Sequence, residues 1–443
     1  MFEHKKIFVL GMASSGYEAA KCLITRDNIV LITDIKEQDV ARVNELKNLG
    51  VDYVITDRPE ILLDDSFDYL VKNPGISYEH PCVKKAIDLG VKVINEIEAA
   101  YNLLPNDVKI IGITGSNGKT TTTTLIYEFL HAMDKKVYIG GNIGLPLCSL
   151  INKVHSGDIL VLEISGHQLH DFENFKTDIS VMTNLSEVHL DFFGNYENYK
   201  NNKRRIFDHH TEKNLAVLNS DNSDVMEVTR DILSHKLYFS STKKADAYIN
   251  NAAIYYKDEK IIDLDDIRVK GNHNYENIMC AIIVTKEFGI DNATIKEVLN
   301  KFGGVEHRIE YVRKLNGREF YNDSKSTNVK STQVALSAFD QPTVILLGGL
   351  DRGHSFFELK DYMKNVKHII CFGETKNRIK EFADEVKIDC TVVDKIEDAV
   401  KVGYNLSEEG NVILLSPACA SWDQYKCFED RGKDFKKWVE LLN

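Results

Sequence analysis

The chain lacks several features that would mark a specialised class of protein. Its eight cysteines are scattered and none form a CxxC pair, so the spacing encodes neither a disulfide framework nor a zinc site, and reduced cytosolic thiols are expected. No run approaches the roughly 18 apolar residues of a membrane span. The opening KKIFVL passes into GMASSG after too short an apolar run for a signal peptide. Basic charge is not in excess: 55 Lys and Arg face 67 Asp and Glu, a net charge of −12, whereas a duplex-DNA binder needs a basic face. There is no internal repeat, coiled coil or low-complexity tract. These absences leave a cytoplasmic protein with no nucleic-acid or membrane partner. Local basic pockets for a phosphorylated ligand stay open.

What is present is alternation. At 443 residues the chain is too long for one core, so two or three domains are expected. KIFVL (6–10), IVLIT (29–33), YLVKN (69–73), KVIN (92–95), KIIGIT (109–114), DILVLEI (158–164) and DISVMTNL (178–185) read as buried strands separated by helices. TVILLGG (343–349), HIICFG (368–373) and NVILLSP (411–417) continue the pattern. Near-continuous apolar strands with helical connections predict parallel sheets covered on both faces. Joints near 98 and 302 divide the chain into 1–98, 99–302 and 303–443.

The first division places GxAxxG after a strand and before a helix, with Asp34 ending the next strand. Gly11 suits the turn and Gly16 the helix packing of a dinucleotide fingerprint. Ala13 replaces the glycine that admits a pyrophosphate, so another nucleotide diphosphate fits better than NAD, and a plain structural turn remains an alternative. Asn73 and Gly75, in VKNPGIS, lie after another strand at the same ligand-binding sheet edge.

GITGSNGKTT (112–121) follows a strand and opens a helix, the context a phosphate-binding loop needs. Ile113 stands where the usual pattern has its first glycine, yet Gly115 and Gly118 keep the tight turn possible. Lys119 can reach the β/γ phosphates and the Thr120 hydroxyl can take Mg²⁺. The alternative is a helix start capped by Ser116 or Asn117, with the lysine in solvent. Glu163, closing one strand, and His189, just past another, fall at the same sheet edge. A carboxylate suits Mg²⁺ better than an imidazole does. The run Lys200, Lys203, Arg204, Arg205 reads by itself as a solvated basic helix face. Asn274 and Asn277 share a helix face in KGNHNYEN. In the last division, Lys325, Arg352 and the Ser421 hydroxyl suit a carboxylate-bearing substrate.

In order, GSNGKTT, Glu163 followed by SGHQL, NLSEVHLD, GNHNYEN, HRIE, NDSKSTN and SPACASWDQYKCFEDRG resemble the Mur ligase family along nearly the whole chain. The last two motifs are the most specific, to the members that add D-glutamate. The resemblance implies an α/β chain of three domains: Rossmann-like N-terminal, P-loop ATPase-like central and Rossmann-like C-terminal, taking the UDP-sugar, ATP and the amino acid respectively. It implies a monomeric, ATP-dependent carboxylate–amine ligase of peptidoglycan precursor synthesis, joining D-glutamate to UDP-N-acetylmuramoyl-L-alanine. It assigns ATP to Gly115, Ser116, Asn117, Gly118, Lys119, Thr120, Thr121, Asn277, Arg308 and Asp323. Two Mg²⁺ ions go to Thr120, Glu163, His189 and a carbamylated Lys203, and Lys119, His189 and Lys203 are the catalytic set. Ser14, Ser15, Asp34, Asn73, Gly75 and Asn142 would hold the UDP-sugar, and Lys325, Thr327, Arg352, Ser421 and Phe428 the D-glutamate. Two departures stand out: SGHQL where SSFQL is common, and Arg352 where some members have lysine. A family ligase adding another amino acid, and a nucleotide-dependent switch, are the rival expectations.

Overall fold

A computed structural model describes residues 2–188 and 190–443. The chain divides into two compact units, Met1–Leu264 with Asn272–Val298, and Asp265–Gly271 with Leu299–Asn443. Among the described residues the first unit carries two sheets and the second carries one.

The first sheet is parallel throughout, in the order β3-β2-β1-β4-β5, from β1 (Lys6–Leu10), β2 (Ile29–Asp34), β3 (Asp52–Ile55), β4 (Tyr69–Lys72) and β5 (Lys92–Ile94). The second contains β6 (Lys109–Thr114), β7 (Val137–Gly141), β8 (Ile159–Glu163), β9 (Ile179–Met182), β10 (Leu215–Asn219), β11 (His235–Ser240), β12 (Ala247–Asn250), β13 (Ala253–Tyr256) and β14 (Glu259–Asp263). Its order is β14-β13-β12-β11-β10-β9-β6-β8-β7. Every residue of β8 is buried, as expected of a strand covered on both faces. Helix Asn272–Lys286, which packs beside helix Lys119–Ala132, buries nearly every residue of its length from Asn277 to Thr285. A helix apolar all round belongs in an interior.

The parallel expectation needs amending at one end of this sheet. β12, β13 and β14 form an antiparallel meander, with Asn251 and Ala252 at positive φ in the first turn. LAVLN and HKLYFS, ahead of it, also pair as strands beyond those read from the sequence. The two sheets share one apolar core, running from Phe2 and Ile7 through Ile97, Ala100 and Leu147 to Ile232.

In the second unit the order is β15-β16-β20-β17-β18-β19, from β15 (Glu310–Leu315), β16 (Arg318–Asn322), β17 (Thr343–Gly348), β18 (Val366–Phe372), β19 (Asp389–Val392) and β20 (Val412–Leu415). All pairs are parallel except β15 with β16. The Asn316–Gly317 turn of that hairpin has both residues at positive φ, 48° and 77°, which matches the twist a tight hairpin needs.

Beneath the strand ends of this unit lies Arg431, on the C-terminal helix Phe428–Glu440 and 0% exposed. Its Nε donates to Ser324 Oγ at 3.0 Å, and its Nη2 donates to the carbonyls of Ser324 and Cys419 at 2.9 and 3.0 Å. Burial lowers its pKa to about 10. Arg431→Met strands those acceptors, at ~1–3 kcal/mol for each buried group left unpaired. Urea unfolding is expected to show a loss of about 3 kcal/mol; an unchanged midpoint would remove this brace.

Candidate functional site

The register of the central sheet aligns the site. Ile113 pairs with Glu163, Gly141 with Glu163 and Thr114 with Met182. The carboxyl ends of β6, β7, β8 and β9 therefore stop at one edge, where open parallel sheets bind ligands.

The loop after β6 is built for close approach. Gly118 has φ +81° and Gly115 φ +142°. A Cβ on Gly118 would collide with Asn277 Oδ1, and one on Gly115 with Thr183 Oγ1. Ser116 N donates to the Asn184 carbonyl at 2.8 Å and Asn117 N to Asn184 Oδ1 at 3.0 Å. The Ser116 hydroxyl meets Tyr199 OH at 2.9 Å. Among the described residues no side chain caps helix Lys119–Ala132. Lys119 Nζ instead folds back to donate to the carbonyls of Gly115 and Ser116, both at 2.9 Å. The capped-helix alternative does not describe this loop. Thr121 sits half-buried on the first helical turn, and Thr122 Oγ1 donates to Asn277 Oδ1 at 3.3 Å.

Glu163 is 2% exposed, so its carboxylate needs donors. Thr120 Oγ1 donates to Oε2 at 2.7 Å and Asn142 Nδ2 to Oε1 at 2.8 Å. The Thr120–Glu163 contact is an ordinary O–H···O hydrogen bond, and both groups are hard oxygen donors of the kind Mg²⁺ takes. The hard-oxygen pair therefore fits that ion. His189 lies outside the described residues.

Lys203 is not on a solvated face. It is 2% exposed on helix Tyr196–Arg204, and its Nζ donates to Thr114 Oγ1 at 3.0 Å. Burial, then the charge of Lys119, holds its pKa well below the ordinary lysine value. Lys200 is also buried, but its ammonium is paired, with the exposed carboxylates of Glu197 and Glu227 at 3.0 and 2.9 Å. The departure at Gly166 has a local reason. A Cβ there would stand 3.1 Å from Phe193 Cζ and 3.4 Å from Lys203 Cε, so glycine gives the lysine stem room. His167 turns its ring edge-on to Phe192, 4.3 Å between centroids.

A cavity of about 580 Å³ within the first unit gathers Ser14, Ser15 and Gly75 on one wall with Lys119, Asn142 and Lys203 on the other. Asn73 stands behind that first wall, taking the Ser15 hydroxyl on Oδ1. Asp34 faces the loop itself: its Oδ2 accepts from Met12 N at 2.7 Å. Asn142 spans two duties, lining the cavity and holding Glu163. Tyr199, which lines the cavity and bonds Ser116, escaped the sequence reading. Its one signal was its place one helical turn before Lys203.

The second unit holds the remaining candidates. Asp323 is buried at the end of β16 and accepts from Ile309 N at 3.2 Å and Ser416 Oγ at 2.7 Å. Burial raises its carboxyl to about 6. Arg308 is exposed and Thr327 half-buried. Lys325 Nζ lies 5.5 Å over the Phe428 ring. The Arg352 guanidinium lies 4.6 Å over Trp422, next to Ser421. Ser421 Oγ is buried without a hydrogen-bond partner among the described residues. Trp422 was missed although it is one of 2 tryptophans in the chain.

Three families match in order: Mur ligase MurD-like, N-terminal domain over residues 5–95, Mur ligase middle domain over 113–285, and Mur ligase, glutamate ligase domain over 307–419. The chain is 46% identical, over 100% of its length and 98% of the relative's, to the UDP-N-acetylmuramoylalanine–D-glutamate ligase of Geobacillus sp. (strain WCH70). It is 42% identical, with the same coverage, to the enzyme of that name from Bacillus cereus (strain G9842). Among solved structures, the UDP-N-acetylmuramate-alanine ligase of Thermotoga maritima superposes with a TM-score of 0.60 at 18% identity, covering 99% of both chains. The MurF ligase of the same organism in complex with ADP gives 0.58 at 18% identity, covering 99% of this chain and 96% of that one. These structures share the fold.

Glu96, on the cavity wall and 5% exposed, supplies a pH test. Burial pushes its carboxyl up from 4.5 to about 7. A raised folded-state pKa contributes stability below the unfolded value, and that contribution is lost as pH rises through the folded one. Glu96→Gln does not titrate and still accepts from Cys148 N, the bond Glu96 Oε1 makes. Its stability should gain on the parent between pH 4.5 and 7 and exceed it by up to ~3 kcal/mol at pH 8. Parallel melting-temperature profiles for the two proteins would contradict this.

Proposed function

The chain belongs to the Mur ligase family, and from that premise we propose that it joins D-glutamate to UDP-N-acetylmuramoyl-L-alanine with cleavage of ATP to ADP and phosphate. The observation that supports this most directly is the cavity that sets Ser14, Ser15 and Gly75 opposite Lys119, Asn142 and Lys203. It offers one space to a nucleotide-sugar and to the phosphates held by the loop. The names of the full-length relatives support the choice of amino acid.

In this reading residues 1–98 hold the UDP-sugar, 99–302 hold ATP and 303–443 hold the amino acid. The L-alanine carboxylate attacks the γ-phosphorus, the bond to the β-phosphate oxygen breaks, and ADP leaves behind an acyl phosphate. The D-glutamate amine then attacks the acyl carbon, a proton is lost and phosphate departs as the amide forms. Two anions must meet in the first step, so positive charge at the phosphates is the main requirement. Lys119 supplies it from a loop whose Ser116, Asn117 and Thr121 surround the phosphates. Asn277, Arg308 and Asp323 hold the adenosine part. Asp34 and Asn73 order the UDP-sugar loops, with Asn142 completing that wall.

Thr120, Glu163, His189 and Lys203 would hold Mg²⁺, two ions in all, which would neutralise phosphate charge when bound. Lys203 enters this set as a carbamate. Burial shifts Lys203 toward its neutral form, the form whose nitrogen lone pair attacks CO₂. Lys325, Arg352 and Ser421 take the carboxylates of D-glutamate, with Thr327 and Phe428 beside them. An arginine at 352 offers a planar fork where a lysine offers a point charge. The enzyme acts as a cytoplasmic monomer. Its eight cysteines are free thiols, as a reducing compartment requires, and among the described residues no helix is long and apolar enough to cross a membrane.

Supplied with UDP-N-acetylmuramoyl-L-alanine, ATP, Mg²⁺ and a panel of amino acids, the protein should release phosphate with D-glutamate. Release indifferent to D-glutamate sinks the assignment, and release with another amino acid transfers it to a different ligation. Lys203→Ala should lower the rate by at least about a hundredfold, the scale of losing one charge-stabilising group. A short carboxylic acid should partly restore it. Full activity without added acid would remove the carbamate.

A further inference from the structure

Lys72 ends β4, and Asp171 follows helix Gly166–Leu169 by two residues. Lys72 Nζ lies 2.8 Å from Asp171 Oδ2 with both side chains 0% exposed, a contact ion pair whose hydrogens are not aligned for a regular hydrogen bond. Tyr78 OH donates to Asp171 Oδ1 at 3.0 Å. The ammonium sits 5.1 Å from the centre of the Tyr78 ring, which packs 4.5 Å from the His170 ring. Arg205 clamps the same segment by donating to the carbonyls of His170 and Phe172.

A pair this buried is a poor device for stability alone, because desolvation offsets its attraction and apolar residues of similar volume often serve as well. What apolar residues do not supply is a fixed direction. One residue beyond Lys72, Asn73 takes the Ser15 hydroxyl, and Gly75 then lines the cavity. On the Asp171 side, Gly166, His167 and Gln168 line the facing wall. Asn202 Nδ2 donates to the Gly166 carbonyl at 2.7 Å, beside Lys203. The pair therefore joins the two walls through short, rigid connections.

We infer that the Lys72–Asp171 ion pair is a positioning element that fixes the UDP-sugar loop 73–75 against the wall carrying Gly166 and Lys203. It touches neither substrate nor reacting atoms. Its effect is to set where the L-alanine carboxylate comes to rest relative to the phosphates, a placement to which rate and binding respond steeply. The inference rests on the reading that this cavity takes the UDP-sugar.

The test is the double variant Lys72→Met/Asp171→Asn, which removes both charges, keeps the volume and leaves an amide oxygen to accept from the Tyr78 hydroxyl. It should keep the parent's melting temperature within a few degrees and raise KM for UDP-N-acetylmuramoyl-L-alanine about tenfold, with KM for ATP within about twofold. Lys72→Met alone should melt well below the double variant. A folded double variant with an unchanged UDP-sugar KM overturns the positioning role. A parallel rise in both KM values with a fallen melting temperature also overturns it, since that marks general loosening. Should the double variant fail to fold, Asp171→Asn is read by the same KM ratio. Asn142→Ala separates the two readings. If it too leaves the UDP-sugar KM unchanged, the cavity assignment has failed and the inference falls with it; if it raises that KM, only the ion pair is in question.

Discussion

The Thr120 hydroxyl bonded to the Glu163 carboxylate, 2.7 Å apart, is the contact on which the rest of the central site depends. It ties the first turn of the helix after β6 to the end of β8, so the phosphate loop cannot move independently of the strand beside it. A buried carboxylate tolerates this place only with donors on both oxygens, and Asn142 provides the second at 2.8 Å. Because Asn142 also lines the cavity, one amide links the cavity wall to the oxygen pair suited to Mg²⁺. The parallel register that ends β6, β7 and β8 at one edge makes this three-way meeting possible.

The same edge explains Lys203. Its amine reaches Thr114, the last residue of β6, by threading past Gly166, where a larger residue would crowd Phe193 and the lysine stem. The SGHQL departure is thus a packing solution beside an intact Glu163, whose two hydrogen bonds it leaves alone. In the second unit Arg431 plays the supporting role. Its guanidinium gathers the carbonyls of Ser324 and Cys419 and so fixes the loops that carry Lys325 and Ser421.

Local patterns in the sequence were sufficient for what depends on neighbours in the chain. The strand-loop-helix at 109–132 and the apolar strands of β1, β6, β8 and β17 follow from a short window of residues. The meander β12–β14 did not follow, because its strands are short and their pairing is set by turns with Asn251 and Ala252 at positive φ. Edge strands β3 and β19 lack a continuous apolar run, since half their faces meet solvent. Lys203 illustrates the limit most sharply. Four basic residues in a row of six look solvated by composition, and only the packed helix shows that Lys200 and Lys203 are both buried, the first paired with carboxylates and the second not. Contacts such as Asn142 with Glu163 and Lys72 with Asp171 join residues 21 and 99 positions apart, beyond any local pattern.

Burial ties the chemistry together. It raises Glu96 to about 7 and lowers Lys203, opposite directions from one cause, since desolvation disfavours whichever form is charged. Burial thus works against charge on these two groups of the cavity wall, while Lys119 and the start of the helix after β6 bring positive charge to it. Lys119 is held at the loop carbonyls of Gly115 and Ser116 by two 2.9 Å bonds. An anion that takes the place of those carbonyls gains the Lys119 ammonium at the cost of two hydrogen bonds.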